Sequence, residues 1–185
     1  MADADAYVLG AIRSWVWSGF YSADDCREML QDIIEPDQDE NTLYAAIDRE
    51  FKEKNIAEKS WPKVTDYDRL HAVFYKLHED GICALHNAGY TMSDGHSDVA
   101  EVVADAPEGH YHAYCFYHGQ DVERAIEGHG LMIAFGDLDD VNEESVAVGF
   151  QVRDALVGAG FLVEWDGTQK TRLSLPQIKW LKRLG

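Results

Sequence analysis

Cationic side chains are scarce in this 185-residue chain: 16 Lys and Arg stand against 34 Asp and Glu, a formal net charge of −18. The scarcity is uneven. All 34 carboxylates and 11 of the cations fall in residues 1–169, a body at −23, whereas residues 170–185 hold five cations and no acid. Such a body repels nucleic-acid phosphates and anionic lipid, because affinity for both rests on Lys and Arg displacing counterions. The expected partners therefore exclude nucleic acid and membranes. The basic end, Lys170, Arg172, Lys179, Lys182 and Arg183, has two readings: a small anion-binding patch, or a solvated helix face whose cations sit near a helix C-terminus.

Cysteine and proline are also sparse. Cys26, Cys83 and Cys115 are odd in number and lack the CxxC spacing of zinc or redox sites. Cys83 and Cys115 lie in apolar runs, where a thiol behaves as a small hydrophobe, and all three read as reduced and structural. Four prolines and fifteen scattered glycines leave no linker, repeat or low-complexity segment. No apolar run approaches the ~20 residues that span a bilayer. The first ten residues hold two aspartates and no base, the wrong sign for a signal or transit peptide. A bacterial or other reducing cytoplasm is the expected setting.

What is present suffices for folding. With 46% hydrophobic and 11% aromatic residues, a chain of this length buries roughly 70% of its extended surface and needs no disulfide or metal to fold. The first sixty residues read as helices. Tyr7, Val8, Ala11, Ile12, Trp15 and Val16 recur at helical spacing up to Gly19. Ser22 caps a second helix that Pro36 ends, and Leu43, Ile47, Phe51 and Ile56 form the stripe of a third. Beyond Trp61 helices and strands alternate. Thr65 opens a helix closed by Gly81, and strands are expected at 82–86, 111–118 and 131–135 with helices at 93–106, 120–127 and 143–159. Asp166-Gly167 joins 161–165 to 172–175 as an antiparallel hairpin, and Pro176 opens a last short helix. The expected fold is α+β (mixed α/β): a helical N-terminal lobe over residues 1–60, then an α/β body over 61–185 with a mixed sheet of about five strands flanked by helices.

Two polar clusters carry the candidate chemistry. His86 to His96 lies where a strand leaves the sheet and a helix begins, the place where open α/β sheets set ligand groups. It is equally an ordinary loop whose Asn, Ser and Asp turn the chain and cap a helix. Neither GxGxxG nor GxxxxGK[ST] occurs, so no phosphate loop is present. The second cluster, His110 to Asp121, puts His110, His112, Tyr114, Phe116 and His118 on one strand face at period two. His-x-His without a third ligand does not define a metal site, and neither metal nor cofactor is expected. Ser93 or Cys115 as nucleophile, His118 as base and Asp94 or Asp121 as orienter would satisfy a hydrolase in residue type. However, Ser93 lacks the GxSxG elbow, and Cys115 faces away from His118 on its strand. No catalytic residue is assigned. The candidate binding pocket comprises Asn87, Tyr90, Thr91, Ser93, Asp94, His118, Gln120 and Asp121.

Several motifs stand along the chain: Trp61-Pro62, Thr65-Asp66-x-Asp68-Arg69-Leu70, Gly81-Ile82, Asn87-Ala88-Gly89-Tyr90-Thr91-x-Ser93-Asp94-Gly95, Cys115-Phe116-Tyr117-His118-Gly119-Gln120-Asp121, Phe135-Gly136 and Trp165-Asp166-Gly167-Thr168. With Gly19-Phe20-Tyr21-Ser22 they resemble an uncharacterised bacterial domain family, a domain of unknown function, over most of the chain. The resemblance implies a bacterial cytoplasmic protein and transfers no activity. Two functions are expected from the residues. One is a non-enzymatic acidic binding protein, such as an immunity or inhibitor protein acting on a basic toxin or nuclease. The other is a small hydrolase-like enzyme or ligand-binding domain around Ser93, Asp94 and His118.

Overall fold

The computed structural model describes residues 2–139 and 141–184; Met1 and Gly185, the outer limits of the two expected segments, lie outside the described residues. The chain forms two compact units, Met1–Thr65 with Leu181–Gly185, and Asp66–Trp180. The architecture is mixed α+β, with four strands among the described residues.

The first unit is helical: α1 (Ala2–Ser18), α2 (Ala23–Ile33) and α3 (Glu40–Glu58). Val8, Ile12 and Val16, one helical turn apart, meet Cys26, Leu30, Leu43, Ala46 and Ile47 in one apolar cluster. Gly19, at φ 77°, stops α1. Ser22 and Asp25 form a reciprocal capping box on α2: Asp25 N–H donates to Ser22 Oγ at 3.1 Å and Ser22 N–H to Asp25 Oδ2 at 2.7 Å.

Ile56, expected in the inward stripe of α3, is 58% exposed, and Lys54 is buried instead. The reason lies at the end of α1, whose last turn has no basic residue of its own. Lys54 Nζ donates to Val16 O at 3.0 Å, and Lys182 Nζ to Gly19 O at 2.9 Å while resting over the Phe20 ring. Two ammonium groups thus serve the carbonyls at the negative end of α1. Burial pushes the Lys54 amine down to about 8.

The second unit contains α4 (Asp66–Glu79), β1 (Ile82–Leu85), α5 (Met92–Asp105), β2 (Ala113–Phe116), α6 (Gly119–Ile126), β3 (Leu131–Asp137), α7 (Asn142–Gly158) and β4 (Leu173–Leu175). The sheet order is β1-β2-β3-β4, with β1 parallel to β2, and β2–β3 and β3–β4 antiparallel. The parallel pair is joined through α5, as a crossover requires. After α6 the chain reverses: Gly128 N–H donates to Ala125 O and His129 N–H to Arg124 O, with Gly128 at φ 81°. This Schellman turn returns β3 antiparallel.

The sheet differs from expectation at its far edge. Residues 161–165 contribute one bridge, Glu164 to Ser174, rather than a strand. The Trp165 ring is taken up by Phe135 and Phe150, with ring centroids 5.2 and 5.1 Å away, and Asp166 binds Thr168 and Thr171 across a wide loop. Packing and side-chain bonds therefore replace a ladder there. The expected C-terminal helix is also not formed in residues 176–184. Ile178 and Trp180 bury singly, and Lys179 N–H donates to the Asp66 carboxylate at 2.9 Å.

Candidate functional site

Parallel pairing brings the ends of β1 and β2 to the same edge, and three backbone bonds tie the segments that follow them. Ala88 N–H donates to Tyr117 O at 2.9 Å, Gly119 N–H to Gly89 O at 2.9 Å and Gln120 N–H to Tyr90 O at 3.1 Å. The loop reaches this position because Asn87 and Gly89 adopt φ of 49° and 55°. Gly119 has no room for a side chain, since a Cβ there would lie 2.7 Å from Tyr90 Cδ2. The two polar clusters of the sequence are therefore laced together.

Their side chains are mostly spent on the chain itself. Thr91, rather than Ser93 or Asp94, caps α5, and Asp94 three residues on reaches back to Thr91 N and Oγ1, both at 2.9 Å. Those bonds, the backbone one foremost, hold the Asp94 carboxyl below the usual range. His118 occupies the equivalent position before α6, and its N–H donates to Asp121 Oδ2 at 3.3 Å. Asp121, only 1% exposed, accepts Arg172 Nη1 at 2.9 Å on each oxygen and lies 3.1 Å from His118 Nε2. His118 is 4% exposed. Burial lowers its affinity for a proton against the pull of Asp121, with Arg172 adding to the lowering and Asp94 opposing it. The Tyr90 backbone, by contrast, favours its protonated form.

The structure thus joins His118 and Asp121 to Arg172, with Thr91 and Asp94 at the neighbouring helix start. Tyr90 is 53% exposed, its hydroxyl donating to Glu123 at 3.1 Å. Ser93 and Gln120 are exposed, and Asn87 is half-buried in the turn. Each of the two helix N-termini already holds its own carboxylate, so the positive ends of both dipoles are occupied. Cys115 is wholly buried on the opposite face from His118, its thiol pushed up by burial. His110 and His112 precede β2 and are exposed, so the histidine-lined strand face is shorter than its spacing suggests. Arg172 was missed as a site residue; the sole stretch rich in uncompensated cations was its signal.

A second arrangement, unanticipated from the sequence, occupies the other face. His71 Nδ1 lies 3.1 Å from His86 Nε2, and His86 Nδ1 lies 2.7 Å from the Tyr117 hydroxyl. Gly81 reverses the chain between them; about 15 Å of helix back to His71 and about 16 Å of extended chain on to His86 bring the rings level. Phe74 stacks on His86 at 4.7 Å, and Tyr67 lies 6.1 Å from His71 and 5.7 Å from Trp180. Burial pushes the Tyr67 phenol up to about 12 and the Tyr117 phenol well above its ordinary value. His71 is exposed and His86 half-buried, so the chain of polar atoms runs from solvent to the buried Tyr117.

Among the described residues, no helix is long and apolar enough to cross a membrane. No curated protein and no solved structure matches the chain. The profile of the family described as Domain of unknown function (DUF6891) matches residues 1–184, agreeing with the uncharacterised domain family to which the motifs pointed. The chain therefore belongs to the DUF6891 family of domains of unknown function.

Proposed function

We propose that this protein is a non-enzymatic acidic binding module of the bacterial cytoplasm that engages a basic protein, as an immunity or inhibitor protein engages a cationic toxin or nuclease. The observation that carries this reading is the surface from Asp24 to Glu40. Asp24, Asp25, Glu28, Asp32, Glu35, Asp37, Asp39 and Glu40 are all exposed there. The one cation among them, Arg27, is already paired with Asp24 at 2.8 Å and Asp48 at 2.6 Å. A shallow depression lined by Gln31, Ile34, Glu35, Pro36, Gln38 and Glu40 lies within this run. Ile34 and Pro36 offer contact to the stem of a partner's Lys or Arg, and the carboxylates to its head. Fields of one sign raise association rates and favour partners of opposite sign.

The alternative, a small hydrolase-like or ligand-binding domain around Ser93, Asp94 and His118, draws on the buried His118 ring beside Asp121. Against it stand the internal commitments of Asp94 and Asp121 and the orientation of Cys115. The test is affinity capture at low salt from cells that naturally make the protein, using wild type beside a variant carrying Asp32→Asn, Glu35→Gln, Asp37→Asn and Glu40→Gln. A basic protein retained by wild type and lost with the variant or with added salt is expected. Equal retention by the variant, or no basic protein at all, contradicts the reading.

A further inference from the structure

We propose that His71 and His86 form a two-imidazole site for a divalent transition-metal ion of the zinc class. The site lies within the second unit, Asp66–Trp180, and is independent of the binding reading above. Its geometry is that of a bite. An ion held at 2.0–2.1 Å by each nitrogen sets the two nitrogens about 2.9 Å apart at a right angle and about 3.3 Å apart at a tetrahedral one. His71 Nδ1 and His86 Nε2 are 3.1 Å apart, between those limits. In the metal-free chain one proton bridges the pair, and an entering ion takes that proton's place.

The surroundings suit such an ion. Metal-ligating histidines use their second nitrogen to fix ring orientation, and His86 does so through Nδ1 and the buried Tyr117 hydroxyl at 2.7 Å. Phe74, stacked on His86, holds the same ring from its face. His71 stands on α4, a regular helix, and is open to solvent, which gives the ion a path. Among the described residues no third imidazole, thiolate or carboxylate completes the set. Water fills the remaining positions and stays exchangeable, with one protein ligand fewer than the three that catalytic zinc sites use. Entry of the ion requires both facing nitrogens to be unprotonated: between neutral rings the bridging proton shifts to the outer nitrogen of its own ring, whereas a ring charged at lower pH must first lose a proton, so binding weakens as pH falls.

The test is titration of Zn²⁺ into the full chain against a chromophoric chelator, with His71→Ala, His86→Ala and, as a control, His129→Ala, an exposed histidine elsewhere that pairs with Glu127. Wild type is expected to bind one ion, and each of the first two variants to lose affinity by about tenfold or more. His129→Ala should match wild type. His71 lies on the exposed side of α4, so its variant keeps the fold, as circular dichroism will verify, and decides the matter even if His86→Ala does not fold. Binding that survives His71→Ala, as adsorption to surface carboxylates would, overturns the proposal. So does the absence of zinc binding by wild type.

Discussion

Tyr117 and His118 are neighbours at the end of β2, and the strand's alternation sends them to opposite faces with opposite outcomes. His118 enters a closed centre. Asp121 lies beneath it, Arg172 seals the carboxylate, and two helix starts are capped by the chain's own acids. Tyr117 ends a line of polar atoms that runs outward through His86 to His71 and reaches solvent. Histidine, tyrosine and carboxylate at a strand end do not by themselves make a functional site. The difference lies in whether the donors and acceptors are already spent.

The sharpest way to break this comparison is to open the closed centre. Arg172→Ala strands a carboxylate that is only 1% exposed; because Arg172 itself keeps 30% exposure, the loss should be about 3 kcal/mol, the lower end for a broken buried pair. Chemical denaturation measures it, and a loss under about 1 kcal/mol, the scale of an exposed pair, would mean that the centre is solvated. On the open side the stakes are smaller. Tyr117→Phe deletes one hydrogen bond to a half-buried ring and should cost about 1 kcal/mol in the same assay.

A pH series separates the two faces further. Burial depresses the His118 proton affinity in the fold below the unfolded value of 6.5, so the unfolded chain binds more protons as pH drops. His118 therefore costs no stability above 6.5 and an increasing amount as pH falls through that value toward the folded one. Wild type should lose stability relative to His118→Asn over this interval and hold its difference above it. The smallest effects belong to exposed candidates: Ser93→Ala and His71→Ala should each stay within about 0.5 kcal/mol of wild type. A larger loss for Ser93→Ala would show an interaction that its exposure conceals.

Much of the fold was legible because its signals are local. Gly19, Ser22-x-x-Asp25 and Pro36 punctuate the lobe, and the Val8, Ile12, Val16 stripe marks its core. Thr91-x-x-Asp94 carries the same capping signal, which a helix start at Ser93 or Asp94 passes over. What failed was set by distant partners. Lys54 takes an apolar position because α1 ends beside it, and Trp165 leaves its expected strand for Phe135 and Phe150. The basic tail is divided in its roles: Lys182 serves Gly19 within the first unit and Arg172 serves Asp121 within the second. No spacing along the chain announces His71 with His86, since a helix and a strand of different rise had to fold back on Gly81 to align them.

The most direct measurement is the protonation state of the His118 ring, followed by ¹⁵N-resolved imidazole spectra from about pH 8 to about pH 5, the range in which histidine normally changes charge. A ring sealed between Asp121, Arg172 and two capped helices should remain neutral as pH passes 6.5 and take its proton only below it. A His118 that protonates at or above 6.5 would contradict the closed centre and restore it as a candidate for chemistry.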